Sequence, residues 1–85
     1  MYQYELERWD LKPCELGDWE CVKTPVSTWE TWEQGLEAFV RLLSDYTGGG
    51  GGVVVTGVHL GISTASAKFE DQWEGTGWEI VLRGQ

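Results

Sequence analysis

Residues 27–46, which read STWETWEQGLEAFVRLLSDY, decide the fold of this 85-residue chain. Their large apolar side chains recur at steps of three and four positions, the spacing that places side chains on one face of a helix. Ser27 and Glu30 have the spacing of a capping box, in which two side chains satisfy free backbone amides. We therefore predict one helix from about Thr28 to Tyr46. Its apolar stripe would comprise Trp29, Trp32, Leu36, Phe39, Val40 and Leu43.

Glycines mark two special places in and after this helix. Gly35 lies inside it, where glycine costs up to about 1 kcal/mol relative to alanine, so we expect it to allow a close approach to a sheet. Gly48 has the position of a left-handed helix cap. The glycine run 48–52 is interpreted as a flexible connector, or as a loop that becomes ordered on a partner. A phosphate-binding loop is excluded, because the run follows a helix and lacks a Gly-Lys-Ser/Thr ending.

Alternation of apolar and polar residues predicts five strands around the helix. In the second strand we expect Trp19 and Cys21 to face inward, because Glu20 lies between them. Pro25 would help to end that strand, since proline cannot donate a backbone hydrogen bond. The strands would span 2–9 and 19–23 before the helix, and 53–62, 65–74 and 78–83 after it.

The three strands after the helix are joined by short connections, so we expect an antiparallel meander. In the third strand, Val54, Val58 and Leu60 would share one face, and Val53 and Val55 the other. One helix covering one face of such a sheet is the economical arrangement for a short chain. The predicted fold is therefore α+β, a single domain over 1–85 with a single helix on one face of a four- to five-stranded antiparallel sheet, in the order ββαβββ.

Two tryptophans and one acid stand out in the last hairpin. Trp73 and Trp78 flank the turn formed by residues 75–77, and would face each other as a cross-strand pair. Asp71 falls on the same face as Phe69, where an acid is out of place. We expect either a bulge that turns Asp71 away or a polar partner inside the fold.

The chain is acidic and rich in tryptophan. Six Lys and Arg residues oppose fourteen Asp and Glu, for a formal charge of −8, and each of the six tryptophans is followed directly by a carboxylate. Binding to nucleic acid or to an anionic membrane is disfavoured, because both depend on cationic side chains. A basic protein partner is favoured, because opposite charges speed the encounter. Alternatively, the charge serves only to keep an aromatic-rich domain soluble.

The face of the sheet turned away from the helix is the predicted binding surface. Strict alternation along the first strand places Trp9 there among acids, so we predict that Trp9 is an exposed aromatic anchor. Lys68 and Arg83 would be the cations on this face. The acids that we assign to it are Glu5, Glu7, Glu20, Glu70 and Glu79.

The residue pattern gives little support to catalytic, metal or cofactor chemistry. His59 is the single histidine and lies in the middle of a predicted strand, although a couple with one of the cysteines stays open. Cys14 and Cys21 are too far apart for a zinc knuckle. No signal peptide and no membrane span are recognisable, so we expect a cytoplasmic protein with reduced thiols, no metal and no cofactor.

In size and composition only, the chain resembles phage-encoded inhibitors of bacterial defence and nuclease immunity proteins. The resemblance implies a non-enzymatic binding protein that inhibits a nucleic-acid-handling partner, such as a defence nuclease or its targeting complex, by covering a basic surface in the cytoplasm (the host cytoplasm if the chain is viral). One alternative is a small-ligand or carbohydrate binder that uses Trp73 and Trp78. Another is a structural subunit of a larger assembly, with charge serving solubility.

Overall fold

The computed structural model describes residues 3–13, 17, 19–48 and 51–84, with the backbone alone at 12, 13 and 19. Neighbouring strands run antiparallel in a five-stranded sheet of order β2-β1-β5-β4-β3, and one helix, α1, packs against one face. The predicted α+β fold with the order ββαβββ is confirmed. The elements are β1 (Tyr4–Pro13), β2 (Trp19–Trp29), α1 (Trp32–Thr47), β3 (Val53–Leu60), β4 (Thr64–Asp71) and β5 (Thr76–Gly84).

The helix begins four residues later than predicted, at Trp32. Its capping box is formed by Thr31 and Gln34: the Gln34 amide donates to Thr31 Oγ1 at 3.2 Å, and the Thr31 amide donates to Gln34 Oε1 at 3.3 Å. The prediction of Ser27 as the N-cap is wrong, because Thr31 and Gln34 offer the same spacing and Ser27 belongs to a strand. Gly48 caps the helix in the right-handed region, with φ −83°, and not in the predicted left-handed one.

Strand β2 continues through Pro25 to Trp29, well beyond the predicted end. Pro25 is tolerated because β2 is an edge strand, where a missing backbone N–H costs no ladder hydrogen bond. The pairing with β1 passes from Ser27 directly to Pro25, which leaves Val26 as the extra residue of a bulge. At the end of the strand, Trp29 Nε1 donates to Ser27 Oγ at 2.8 Å. Trp29 therefore belongs to the sheet and not to the predicted helical stripe.

The core lies between α1 and the three central strands. Gly35 is buried at the contact, and a Cβ there would lie 2.9 Å from Leu82 Cδ1, so the predicted close approach of helix and sheet is confirmed. Val40, assigned to the buried stripe from the sequence, is instead 55% exposed. The molecule is only 19 Å thick, as one helix layer on one sheet requires. The buried cluster comprises Leu6, Phe39, Ala65, Ala67, Phe69, Ile80 and Leu82.

A bulge in β3 overturns the predicted division of its faces. The pairing with β4 passes from Val55 to Gly57, so Thr56 is the extra residue. Alternation therefore changes phase at Thr56, which puts Val53 and Val55 on the helix side together with Val58 and Leu60. Val54, predicted to share a face with Val58, lies on the opposite side.

Candidate functional site

The face of the sheet turned away from α1, here called the outer face, holds most of the predicted binding residues. Residues directly opposite each other on antiparallel strands share a face, and the buried Leu6, Ile80 and Ala67 mark the helix side. By this register the outer face carries Glu5, Glu7, Trp9, Glu70 and Glu79, together with Lys23, Lys68 and Arg83.

Glu20 does not lie on the outer face, so its predicted place there is wrong. Glu20 pairs with Lys12 on the helix side, whereas Cys21 lies opposite Leu11 on the outer face. The bulge at Val26 is the physical reason, because one extra residue exchanges the two faces along the rest of the strand. Cys21 is accordingly an exposed free thiol and not an inward one. The side chain of Trp19 and the whole of Cys14 lie outside the described residues.

Charge on the outer face is nearly balanced. Glu7 is only 6% exposed, and its Oε1 lies 2.9 Å from Arg83 Nε in an ion pair. Lys68 lies directly opposite Glu79 in the register. Among the described residues of this face, four carboxylates against three cations leave a formal charge of −1. The outer face is therefore far less acidic than the sequence suggested.

Trp9 is a wall of a groove and not a protruding anchor. It is half-buried, and Lys23 Nζ lies 4.3 Å from the centroid of its ring. Its indole Nε1 is inaccessible and has no hydrogen-bond partner among the described residues. Trp9 and the exposed Leu11 line one side of a groove of about 390 Å³ whose other residues include Gly77. The predicted exposed anchor is therefore a half-buried side chain in the wall of this groove.

On the helix side, Arg8 lies between aromatic rings and an acid. Its Cζ is 4.8 Å from the Trp78 ring centroid and 5.4 Å from that of Tyr46. The guanidinium donates to both Asp10 carboxylate oxygens and to Tyr46 Oη, at 3.1–3.2 Å. Burial by itself lowers the pKa of Arg8, but the hydrogen bonds to Asp10 and Tyr46 outweigh it, so the pKa is raised. Arg8 is thus a fixed cation that holds α1 on the sheet.

A second groove runs between α1 and the edge strand β2, and we call it the helix–edge groove. Its volume is about 470 Å³. Glu37, Arg41 and Asp45 line it from the helix at intervals of four residues, which places them in one row. The Glu37–Arg41 ion pair, 3.5 Å long, is about three-quarters exposed, so it contributes little to stability. The apolar lining comprises Leu6, Val26, Trp29, Ala38 and Leu42.

Exposed acids predominate on and just before α1. Glu37 and Asp45 line the groove, and Glu30 and Glu33 are exposed before and in the first turn of the helix. Against these four carboxylates the helix offers Arg41 alone, a formal balance of −3 over residues 30–47. The helical spacing was visible in the sequence, but the position of β2 beside this row was not, because it depends on sheet order.

The tryptophan pair of the ligand-binding alternative is not formed. Trp78 lies opposite Phe69 in the register, and their rings stack at 5.6 Å between centroids. Trp73 lies in the β4–β5 turn and is 81% exposed. Asp71 finds its polar partners there, since its Oδ1 accepts from the amides of Trp73 and Glu74 at 3.0 and 3.1 Å. The predicted cross-strand pairing of Trp73 with Trp78 is therefore wrong.

The described residues contain no group of three or more His, Cys, Asp or Glu side chains arranged to hold a metal ion. His59 is exposed on β3. Among the same residues, no helix has the length and hydrophobicity needed to cross a membrane. Comparisons with protein-family models, with curated proteins and with solved structures find no match for this chain.

Proposed function

We infer that this chain is a non-enzymatic binding protein for a basic protein segment, and that the helix–edge groove receives it. The observation that carries this proposal is an apolar groove whose helical wall carries the exposed carboxylates of Glu37 and Asp45. Neither feature alone would select a partner. Together they fit a segment with an apolar side chain flanked by lysine or arginine.

Charge and apolar contact would have different tasks in this complex. The carboxylates of Glu37 and Asp45 lie at the groove surface, where they attract a basic segment over a distance of about 10 Å at moderate salt. Glu37 already pairs with Arg41, and such an exposed pair exchanges readily for an incoming cation. Val26, 46% exposed, would supply apolar contact that slows dissociation.

A basic surface that accepts this groove is also a surface that attracts nucleic acid phosphates. Covering that surface would exclude nucleic acid, so the proposed biological role is inhibition of a nucleic-acid-handling partner in the cytoplasm. The chain would not bind DNA or RNA itself, because its cations are few and several are already engaged. Arg8 contacts Asp10, and Arg83 contacts Glu7.

The test uses a labelled synthetic peptide of lysines with leucine at every fourth position. The groove variant carries Glu37→Lys and Asp45→Lys, and the matched control carries Glu70→Lys and Glu74→Lys, which change the net charge equally at exposed sites. We expect the groove variant to bind at least about tenfold more weakly and the control to lose less than about threefold. The affinity of the wild-type chain for the peptide should decrease when the salt concentration is raised from about 50 mM to about 300 mM.

A third variant separates contact from charge. Val26→Ser removes apolar surface without changing any charge, so it should speed dissociation and leave association nearly unchanged. Equal losses in the groove and control variants would show that the peptide responds only to net charge, and the helix–edge groove would then not be the binding site.

A further inference from the structure

Strand β3 is an edge of the sheet with no charge to protect it. It pairs with β4, and within the described residues no other strand lies beside it. Every second residue of an edge strand turns its backbone N–H and C=O away from its neighbour, which leaves them free to pair with another strand. Between Tyr46 and Ala67 the sequence contains no Asp, Glu, Lys or Arg, although such residues make up 24% of the chain.

The same edge concentrates the exposed apolar surface. Nine large apolar side chains are exposed among the described residues, and five of them lie in the segment 54–62. Exposure rises along it, from 56% at Val58 to 65% at Leu60 and 101% at Ile62. Scattered single apolar residues need no explanation, but exposed apolar residues gathered along one edge strand and the loop after it indicate an interaction surface. The five are Val54, Val55, Val58, Leu60 and Ile62.

We propose that β3 pairs antiparallel with β3 of a second copy, so that two five-stranded sheets join into one continuous sheet across a two-fold axis. An uncharged, β-forming, apolar strand matches the exposed side chains of this edge, and β3 itself, VVVTGVHL, has that composition. Two chains of charge −8 repel each other over most of their surfaces. At β3 they can approach without placing like charges opposite each other, and a two-fold contact makes the strand complementary to itself.

The proposal does not depend on the helix–edge groove, which lies at the opposite edge of the sheet. The two interactions also respond to salt with opposite signs. Salt screens the repulsion between acidic copies, so self-association should strengthen as salt rises, whereas binding of a basic segment should weaken. Failure of one proposal is therefore distinguishable from failure of the other.

Sedimentation equilibrium measures the first consequence. The chain has a mass of 9.6 kDa, and we expect the weight-average mass to approach twice that value as concentration rises from about 1 µM to about 1 mM. The dissociation constant of the dimer should decrease when the salt concentration is raised from about 50 mM to about 500 mM. A mass of one chain over the whole range would overturn the proposal and leave the edge to a strand from another protein.

Matched lysine substitutions test a second consequence of the proposal, that a charge on β3 weakens the dimer. Val58→Lys puts a charge on the edge, the device by which natural edge strands avoid pairing. Val40→Lys makes the same change on the helix at an equally exposed valine, 55% against 56%. We expect Val58→Lys to weaken the dimer at least about tenfold and Val40→Lys to change it less than about twofold. Equal effects of the two substitutions on the dissociation constant would overturn the proposal. If circular dichroism shows that Val58→Lys is unfolded, Leu60→Lys is used in its place.

Discussion

The two edges of the sheet differ in how they treat a neighbouring strand. β2 contains Pro25 and a bulge at Val26, and it carries Lys23 and Glu20. Proline, bulges and charges are the devices that keep an edge from pairing with another chain. β3 has a bulge at Thr56 but no proline and no charged residue, and its apolar side chains other than Val53 are exposed. One edge is closed to other strands, whereas the other is open.

This contrast shows that a strongly acidic chain can still hold a surface of neutral character. The formal charge of −8 is carried outside the segment 46–67, which contains none of it. A net charge therefore says little about any one surface, because the side chains that face each other decide the local field. The molecule accordingly has one edge with charged side chains and a groove beside it, and one edge without charged residues.

The largest expected effect is a loss of folding stability when a core residue of a central strand is truncated. Within the described residues, the buried cluster draws on β1, β4, β5 and α1, and on neither edge strand. Phe69 of β4 is 2% exposed, and its ring centroid lies 5.2 Å from that of Tyr46 and 5.6 Å from that of Trp78. Phe69→Ala should cost about 3–5 kcal/mol in urea unfolding, as large core truncations do.

The matched change on the open edge is Val58→Ala, at a side chain that is 56% exposed. It should cost less than about 1 kcal/mol, because little apolar contact is lost. Similar losses for Phe69→Ala and Val58→Ala would mean that β3 is part of the core, and the description of β3 as an open edge would be wrong.

A middle-sized effect is expected one strand in from the closed edge. Glu7 lies opposite Pro25 beside the bulge, and its carboxylate is buried against Arg83. Glu7→Lys would place two cations together in a site with little water, which should cost about 1–3 kcal/mol. Glu70→Lys, an exposed change of equal charge on the same face, should stay within about 0.5 kcal/mol. Thermal unfolding monitored by circular dichroism compares the two, and equal shifts would contradict the ion pair.

The smallest expected effect is a gain in self-association through β2 when its proline is replaced. Pro25→Thr supplies the backbone N–H that proline lacks, and we expect it to act only when the other edge is blocked by Val58→Lys. Because Lys23, Glu20 and the bulge remain, the double variant should regain at most about tenfold in self-association over Val58→Lys. Sedimentation equilibrium measures this gain. No gain in self-association over Val58→Lys would show that Pro25 does not prevent β2 from pairing with another strand.

The class of fold could be predicted from local patterns because those patterns are strong. The apolar spacing of Leu36, Phe39 and Leu43 defines the helix, and the alternation of Ala65, Ala67 and Phe69 defines a central strand. Errors arose where two local rules competed. Thr31 and Gln34 match the capping pattern as well as Ser27 and Glu30 do, and only the extension of β2 decides between them.

The candidate site could be predicted only in part, because its charges are settled by pairing across strands. Alternation along β1 placed Glu5, Glu7 and Trp9 on one face correctly. It could not show that Arg83 neutralises Glu7 or that Lys23 covers Trp9, since both partners come from other strands. One-residue bulges at Val26 and Thr56 then reversed the faces of both edge strands, and a bulge leaves no signal in the alternation itself.

The placement of α1 on one face of the sheet has a consequence for valency. In the proposed dimer, a two-fold axis that joins antiparallel β3 strands keeps both helices on the same face of the continuous sheet, so each dimer would carry two helix–edge grooves, one near each end. Ten strands at about 4.8 Å spacing would separate the two β2 strands by about 43 Å. A partner with two basic segments at that separation would bind both grooves at once, and its avidity would exceed the single affinity about 10²-fold or more.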